Sequence, residues 1–170
     1  GGCNVGIGYR AGWCNTTGSK NIALGFEAFR DSLSGTDNFA AGNRALWRNW
    51  GGNYNTAIGS CALYENTTGC LNNALGFQAL YSNTTGEANN ALGNLALCSN
   101  TTGSYNVALG RRPLSNNTTG GDNIALGRDA LYNNTTAGNN VAIGGYALTE
   151  NTTGKYNTAL GGYSLYGSLS

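Results

Sequence analysis

The chain has 170 residues, 28 of them glycine and only one proline, with no histidine or methionine, 10% charged residues and a net charge of +1. That balance leaves no electrostatic footprint for nucleic acid or an anionic membrane surface, and no apolar run approaches the ~20 residues of a membrane-spanning helix. Regular apolar spacing argues against disorder, glycine without a G-X-Y period excludes collagen, and the absence of histidine removes the commonest general base and metal ligand.

The chain is built from one stretch. N-T-T-G-C-L-N-N-A-L-G-F-Q-A-L-Y-S, starting at Asn66, returns 17 residues later from Asn83, then from Asn100, Asn117, Asn134 and Asn151, with looser copies through Asn15, Ser32 and Asn49. Asparagine recurs in one phase at Asn4, Asn21, Asn38, Asn55, Asn72, Asn89, Asn106, Asn123, Asn140 and Asn157. Glycine recurs in another at Gly8, Gly25, Gly42, Gly59, Gly76, Gly93, Gly110, Gly127, Gly144 and Gly161. Residues 1–170 are therefore a single array of ten 17-residue periods without insertion or deletion. A fixed period near twenty residues is the signature of stacked units that touch only their neighbours.

Within a period, the first element is Asn-x-Ala-Leu-Gly, as in Asn106-Val107-Ala108-Leu109-Gly110. Its free position holds mostly β-branched residues, which predicts a short strand ended by a glycine at positive φ. The second is Ala-Leu plus an aromatic, as in Ala62-Leu63-Tyr64. It is too short for a stable helix and reads as a second short strand. Pro113, standing in the alanine position of one period, conflicts with a regular ladder there. The N-T-T-G corner closes the period as a turn, with asparagine able to enter the left-handed region and glycine free to take positive φ. These elements predict an all-β fold, a parallel β-solenoid of ten coils standing ~48 Å tall at ~4.8 Å per rung.

Adjacent strand residues point to opposite faces. Ala-Leu pairs in both elements would thus expose an apolar residue on each side of the sheet. A lone coil could bury only one side, which predicts association with identical chains, most simply with three-fold symmetry. The terminal periods carry no proline, charged cover or helix. Ser168-Leu169-Ser170 repeats the wording of Ser32-Leu33-Ser34, so the array is expected to continue in both directions as an interior segment of a fibre with open rungs.

No catalytic, metal or cofactor-binding constellation is expected, because the carboxylates scatter over the repeat phases and never pair repeatedly. The Asn4–Asn157 column is expected to be a buried amide ladder. Trp13, Trp47, Tyr64, Tyr81, Tyr132 and Tyr166 share one phase. They predict an aromatic stripe that packs along a seam between chains or offers a surface for sugars. Glu27, Arg44, Gln78, Arg112 and Asp129 are expected to face water. Seven corners have N-x-T glycosylation spacing, at Asn15, Asn66, Asn83, Asn100, Asn117, Asn134 and Asn151; turn chemistry accounts for the same residues. Threonine columns raise an ice-binding reading, whose regularity fails at Leu33, Trp50 and Leu169. Cys3, Cys14, Cys61, Cys70 and Cys98 fall at five different phases, which argues against a disulfide ladder.

The string Asn55-Thr56-Ala57-Ile58-Gly59 and its copies resemble the repeats in head domains of trimeric autotransporter adhesins. The longer pattern, with A-L-Y-x-N-T-T-G following, resembles repeats in phage tail-fibre proteins, often found before an intramolecular chaperone domain. The resemblance covers all ten periods. It implies a homotrimeric, left-handed parallel β-roll that serves as a rigid extracellular or virion-surface shaft, or alternatively as a receptor- or glycan-binding adhesin. Autotransporter heads have coils shorter than 17 residues, so their cross-section does not transfer directly.

Overall fold

The computed structural model describes residues 1–167; Ser168, Leu169 and Ser170, on which part of the open-end expectation rested, lie outside them. Ten strands of three residues follow one another: β1 Val5–Ile7, β2 Ile22–Leu24, β3 Phe39–Ala41, β4 Thr56–Ile58, β5 Asn73–Leu75, β6 Asn90–Leu92, β7 Val107–Leu109, β8 Ile124–Leu126, β9 Val141–Ile143 and β10 Thr158–Leu160. They form one parallel sheet in sequence order, and every partner lies one period away, as in Asn73↔Asn90, Ala74↔Ala91 and Leu75↔Leu92. The chain is a parallel β-solenoid. No helix occurs among the described residues.

Three residues are a short strand, and the sheet alone would hold each coil weakly. Backbone bonding to the adjacent coil continues around the rest of the circumference. Leu63 N–H donates to Ala79 C=O at 3.0 Å, Glu65 N–H to Tyr81 C=O at 3.0 Å, Gln78 N–H to Ser60 C=O at 3.0 Å and Leu71 N–H to Asn53 C=O at 3.0 Å. Most of a coil's circumference is thereby held to its neighbours, whether or not it is strand.

The Ala-Leu-aromatic element is not a strand. In the Asn55 coil, Cys61 and Leu63 take φ of 58° and 51°, and the equivalent pair recurs along the chain, as in Gln78 and Leu80 at 54° and 53°. Left-handed residues at every second position curl the backbone into a continuous turn, so strand alternation is lost. Ala62 and Leu63 consequently both point inward and are fully buried. Pro113 fits this geometry. The equivalent amide of other coils makes only a long bond inside its own turn, such as Ala96 N–H to Gly93 C=O at 3.4 Å, so its loss breaks no contact between coils.

The glycine column that ends the strand lies at φ 114–138°, a region L-residues avoid. The glycine of the N-T-T-G corner is not at positive φ. Gly69 is small for a different reason: a Cβ there would meet Asn66 Oδ1 at 2.5 Å and Asn83 Nδ2 at 2.8 Å.

The interior has two halves. One is apolar, formed in most coils by the central strand alanine and the Ala-Leu pair, such as Ala57, Ala62 and Leu63, all at 0% exposure. The other is a stack of buried asparagines. One chain closes this core by itself, so the inference that identical chains are needed to cover the Ala-Leu element does not hold. The outward strand residues still leave an apolar strip uncovered. At the first coil, Gly6 and Gly12 stand where later coils have alanine and leucine, and a void of about 80 Å³ opens beside them, partly filled by the larger Phe29 of the next coil.

Candidate functional site

Two amide ladders run through the polar half of the core. In the first, the Asn72 side-chain carbonyl accepts from Asn89 N–H at 3.0 Å and from Asn89 Nδ2 at 3.1 Å, while Asn89 Nδ2 also donates to Gly103 C=O at 2.9 Å. The second is made by the corner asparagines. Asn100 Nδ2 donates to Asn83 Oδ1 at 2.9 Å and to Gly103 C=O at 2.9 Å, and Asn117 Nδ2 continues the chain to Asn100 Oδ1 at 2.8 Å. Gly103 C=O therefore receives an amide from each ladder, which ties strand and corner together. Between Asn66 and Asn134 each corner amide is satisfied by its copies and the corner carbonyl, the condition under which a polar core rigidifies rather than destabilises. A glycan on Asn100 would replace one N–H of a buried amide whose two N–H groups are both donated inside the core, so the corner sequons serve packing. The regular 17-residue recurrence of these asparagines carried the signal for this second ladder, which their glycosylation spacing obscured.

Among the described residues the second ladder has one internal gap. Ser32 replaces asparagine, its hydroxyl is buried without a partner, and Asn15 Oδ1 below it is also unpaired.

The expected aromatic stripe is broken into pieces. Trp47, Tyr64 and Tyr81 stack at 4.9 and 5.0 Å with interplanar angles of 11° and 3°. Both faces of Tyr64 are thus covered within the chain, leaving edges rather than open faces for a sugar. Tyr132 lies between Ser115 and Thr149 in the same column and instead has the Arg112 guanidinium over its ring at 5.0 Å. Trp13 has Arg10 over its ring at 5.5 Å, and Tyr166 meets Tyr146 edge-on at 6.5 Å.

Two residues expected in water are buried. Glu27 is 4% exposed and Asp129 2%, because each carboxylate is roofed by arginines from its own and an adjacent coil. Glu27 pairs with Arg30 at 3.1 Å and Arg44 at 2.9 Å. Asp129 takes a two-pronged contact from Arg112 at 2.9 and 3.1 Å, the geometry that planar guanidinium favours. The hydrogen bond to Asp129 raises the Arg112 pKa further above its ordinary value. Arg44 is exposed, while Gln78 and Arg112 are half-buried. The cysteines are free; burial, then the Asp31 carboxylate, pushes the Cys14 thiol up.

The outward sheet face is a regular surface running the length of the array. Its first column, one residue per strand, is Val5, Ile22, Phe39, Thr56, Asn73, Asn90, Val107, Ile124, Val141 and Thr158. Its second column is leucine, isoleucine or alanine in every strand, with Ile58, Leu75, Leu92 and Leu109 37–48% exposed. Neither column contains a charged residue. At three residues wide and ten rungs tall, the strip, polar side chains included, covers roughly 480 Å² in projection, comparable to the largest apolar patch of an ordinary monomer, which is often functional.

The corner threonines split by role. Thr84 Oγ1 donates to Thr101 C=O of the next coil at 3.0 Å, whereas Thr68, Thr85, Thr102, Thr119 and Thr136 are exposed in single file. One column gives a line of hydroxyls rather than a two-dimensional array, and its neighbours break off at Leu33 and Trp50.

No group of three or more metal-ligating side chains, and no helix long and apolar enough to cross a membrane, occurs among the described residues. No family model matches the chain, and no significant match is found to a curated protein or a solved structure.

Proposed function

We propose that this chain is a structural fibre segment, a stiff spacer that assembles as a left-handed homotrimeric rod outside the cell or on a virion. The observation that carries the reading is the unbroken sheet of ten coils, in which successive rungs repeat the same strand pairing at a constant 17-residue offset. Such a stack resists bending because backbone bonds join neighbouring coils around most of its perimeter. Self-association draws on the uncharged outward face, whose apolar column runs through every strand. The resemblance to tail-fibre and adhesin-head repeats points the same way. This role requires no catalytic residue and no cofactor.

A second reading, a receptor- or glycan-binding adhesin, draws on Tyr54, Tyr105 and Tyr156. They are 59%, 62% and 78% exposed and stand in one column, three coils apart. Ice binding, the third reading, rests on the single threonine file and is the weakest.

Electron microscopy of the purified chain separates these. The spacer reading expects straight rods with a three-lobed cross-section and no retention on immobilised cell-surface glycans. Compact single-chain particles would contradict it. Glycan retention lost in a Tyr54→Ala/Tyr105→Ala variant would establish the adhesin instead.

A further inference from the structure

The outward face is not uniformly apolar, and its amide side chains are confined to two adjacent strands. The first outward column is apolar in β1–β3, polar in β4–β6 at Thr56, Asn73 and Asn90, apolar again in β7–β9, and polar once more at Thr158 in β10; its two amides, Asn73 and Asn90, occur nowhere else in it. The neighbouring outward column stays apolar through the same strands, at Ile58, Leu75 and Leu92. The polar block therefore does not reflect a general change in the surface.

Asn73 Nδ2 donates to Asn90 Oδ1 at 2.9 Å. The other half of each amide, Asn73 Oδ1 and Asn90 Nδ2, has no hydrogen bond among the described residues, and neither has the Thr56 hydroxyl. An acceptor and a donor are thus left open in the middle of an apolar strip.

We propose that Thr56, Asn73 and Asn90 set the axial register in which identical chains pack sheet face to sheet face. The inference rests on the self-association proposed above and names the device that aligns it. An apolar occupant would bury an acceptor and a donor without partners, which is costly. A second copy brings a matching block of the same height, and only in the aligned register do the polar rungs of all copies meet. Sliding by three rungs would place amides against valine or isoleucine. Polar residues within an otherwise apolar seam fix register in coiled coils by the same physics. Without the block, an uncharged strip of identical rungs would offer nearly equivalent pairings at every coil, each offset by ~4.8 Å.

The test compares the wild-type chain with Asn73→Val/Asn90→Val, using sedimentation for mass and small-angle X-ray scattering for axial length. Valine already occupies this column at Val5, Val107 and Val141, so the variant keeps the fold. The expected wild type is one oligomer whose length equals that of a single rod. The expected variant still associates, but as a mixture of longer particles with copies displaced by whole coils. A variant as short and uniform as the wild type overturns the register assignment and leaves self-association intact. A wild type that is folded but monomeric overturns the self-association reading, and the register assignment with it.

Discussion

At the scale of single residues, the solenoid turns local violations into periodic ones. Leucines at φ near 50° are strained by about 1–2 kcal/mol each, yet Leu46, Leu63, Leu80, Leu97, Leu114, Leu131 and Leu148 all adopt it, at φ 51–53°. Their complete burial offsets that strain. Where the left-handed residue is not core, the strain can be relieved. Ala88 sits at φ 54° in the column where Asn139 sits at 61°, so Ala88→Asn should raise stability by about 0.5–1 kcal/mol, read as a higher denaturation midpoint. Gly76→Val should cost several kcal/mol, because its Cβ would meet the Gly93 backbone carbonyl and lie 3.2 Å from Gly93 Cα. The gap in the second amide ladder makes a prediction of opposite sign. Ser32→Asn would supply a donor to the unpaired Asn15 Oδ1 and remove a buried, unpaired hydroxyl. Thermal unfolding should show a gain of about 1–3 kcal/mol, and no gain would mean that the corner ladder does not act as a continuous stack.

At the scale of the element, the sequence disclosed one half of the coil and misled about the other. The strand was legible because β-branched residues, a buried alanine and a terminal glycine all point to extended chain. The Ala-Leu-aromatic element was misread because apolar pairing was interpreted through strand alternation. Its left-handed positions carry no glycine signal, being occupied by residues such as Cys61, Gln78 and Leu63. The same error placed Glu27 and Asp129 in water, since nothing in a single period shows that an arginine from an adjacent coil will cover them. Proline scanning separates the two backbone descriptions. Ala79→Pro should be tolerated, within about 1 kcal/mol, because the Ala79 amide makes only the long 3.4 Å bond to Gly76. Gln78→Pro should unfold the coil, because that position needs φ of 54° and donates across coils to Ser60; proline can do neither. Equal sensitivity at the two positions would restore the regular strand.

At the scale of the whole molecule, the period alone made the solenoid legible, since ten periods of constant length leave stacking as the way to bury a common face. What could not be read was which apolar residues the chain buries by itself. Leu63 and Leu109 look alike in sequence, both following alanine, but one is enclosed and the other is 48% exposed on the outward face. That difference divides folding from assembly. The core belongs to one chain, and assembly, as proposed, belongs to the outward face. Sedimentation equilibrium and circular dichroism of the wild type and of Leu92→Asp/Leu109→Asp test this division most directly. The account predicts a wild-type trimer and a variant that is monomeric yet keeps the wild-type spectrum, because neither aspartate reaches the core. A wild type that stays a folded monomer at micromolar concentration, or a variant that loses its β signal along with its partners, would contradict it.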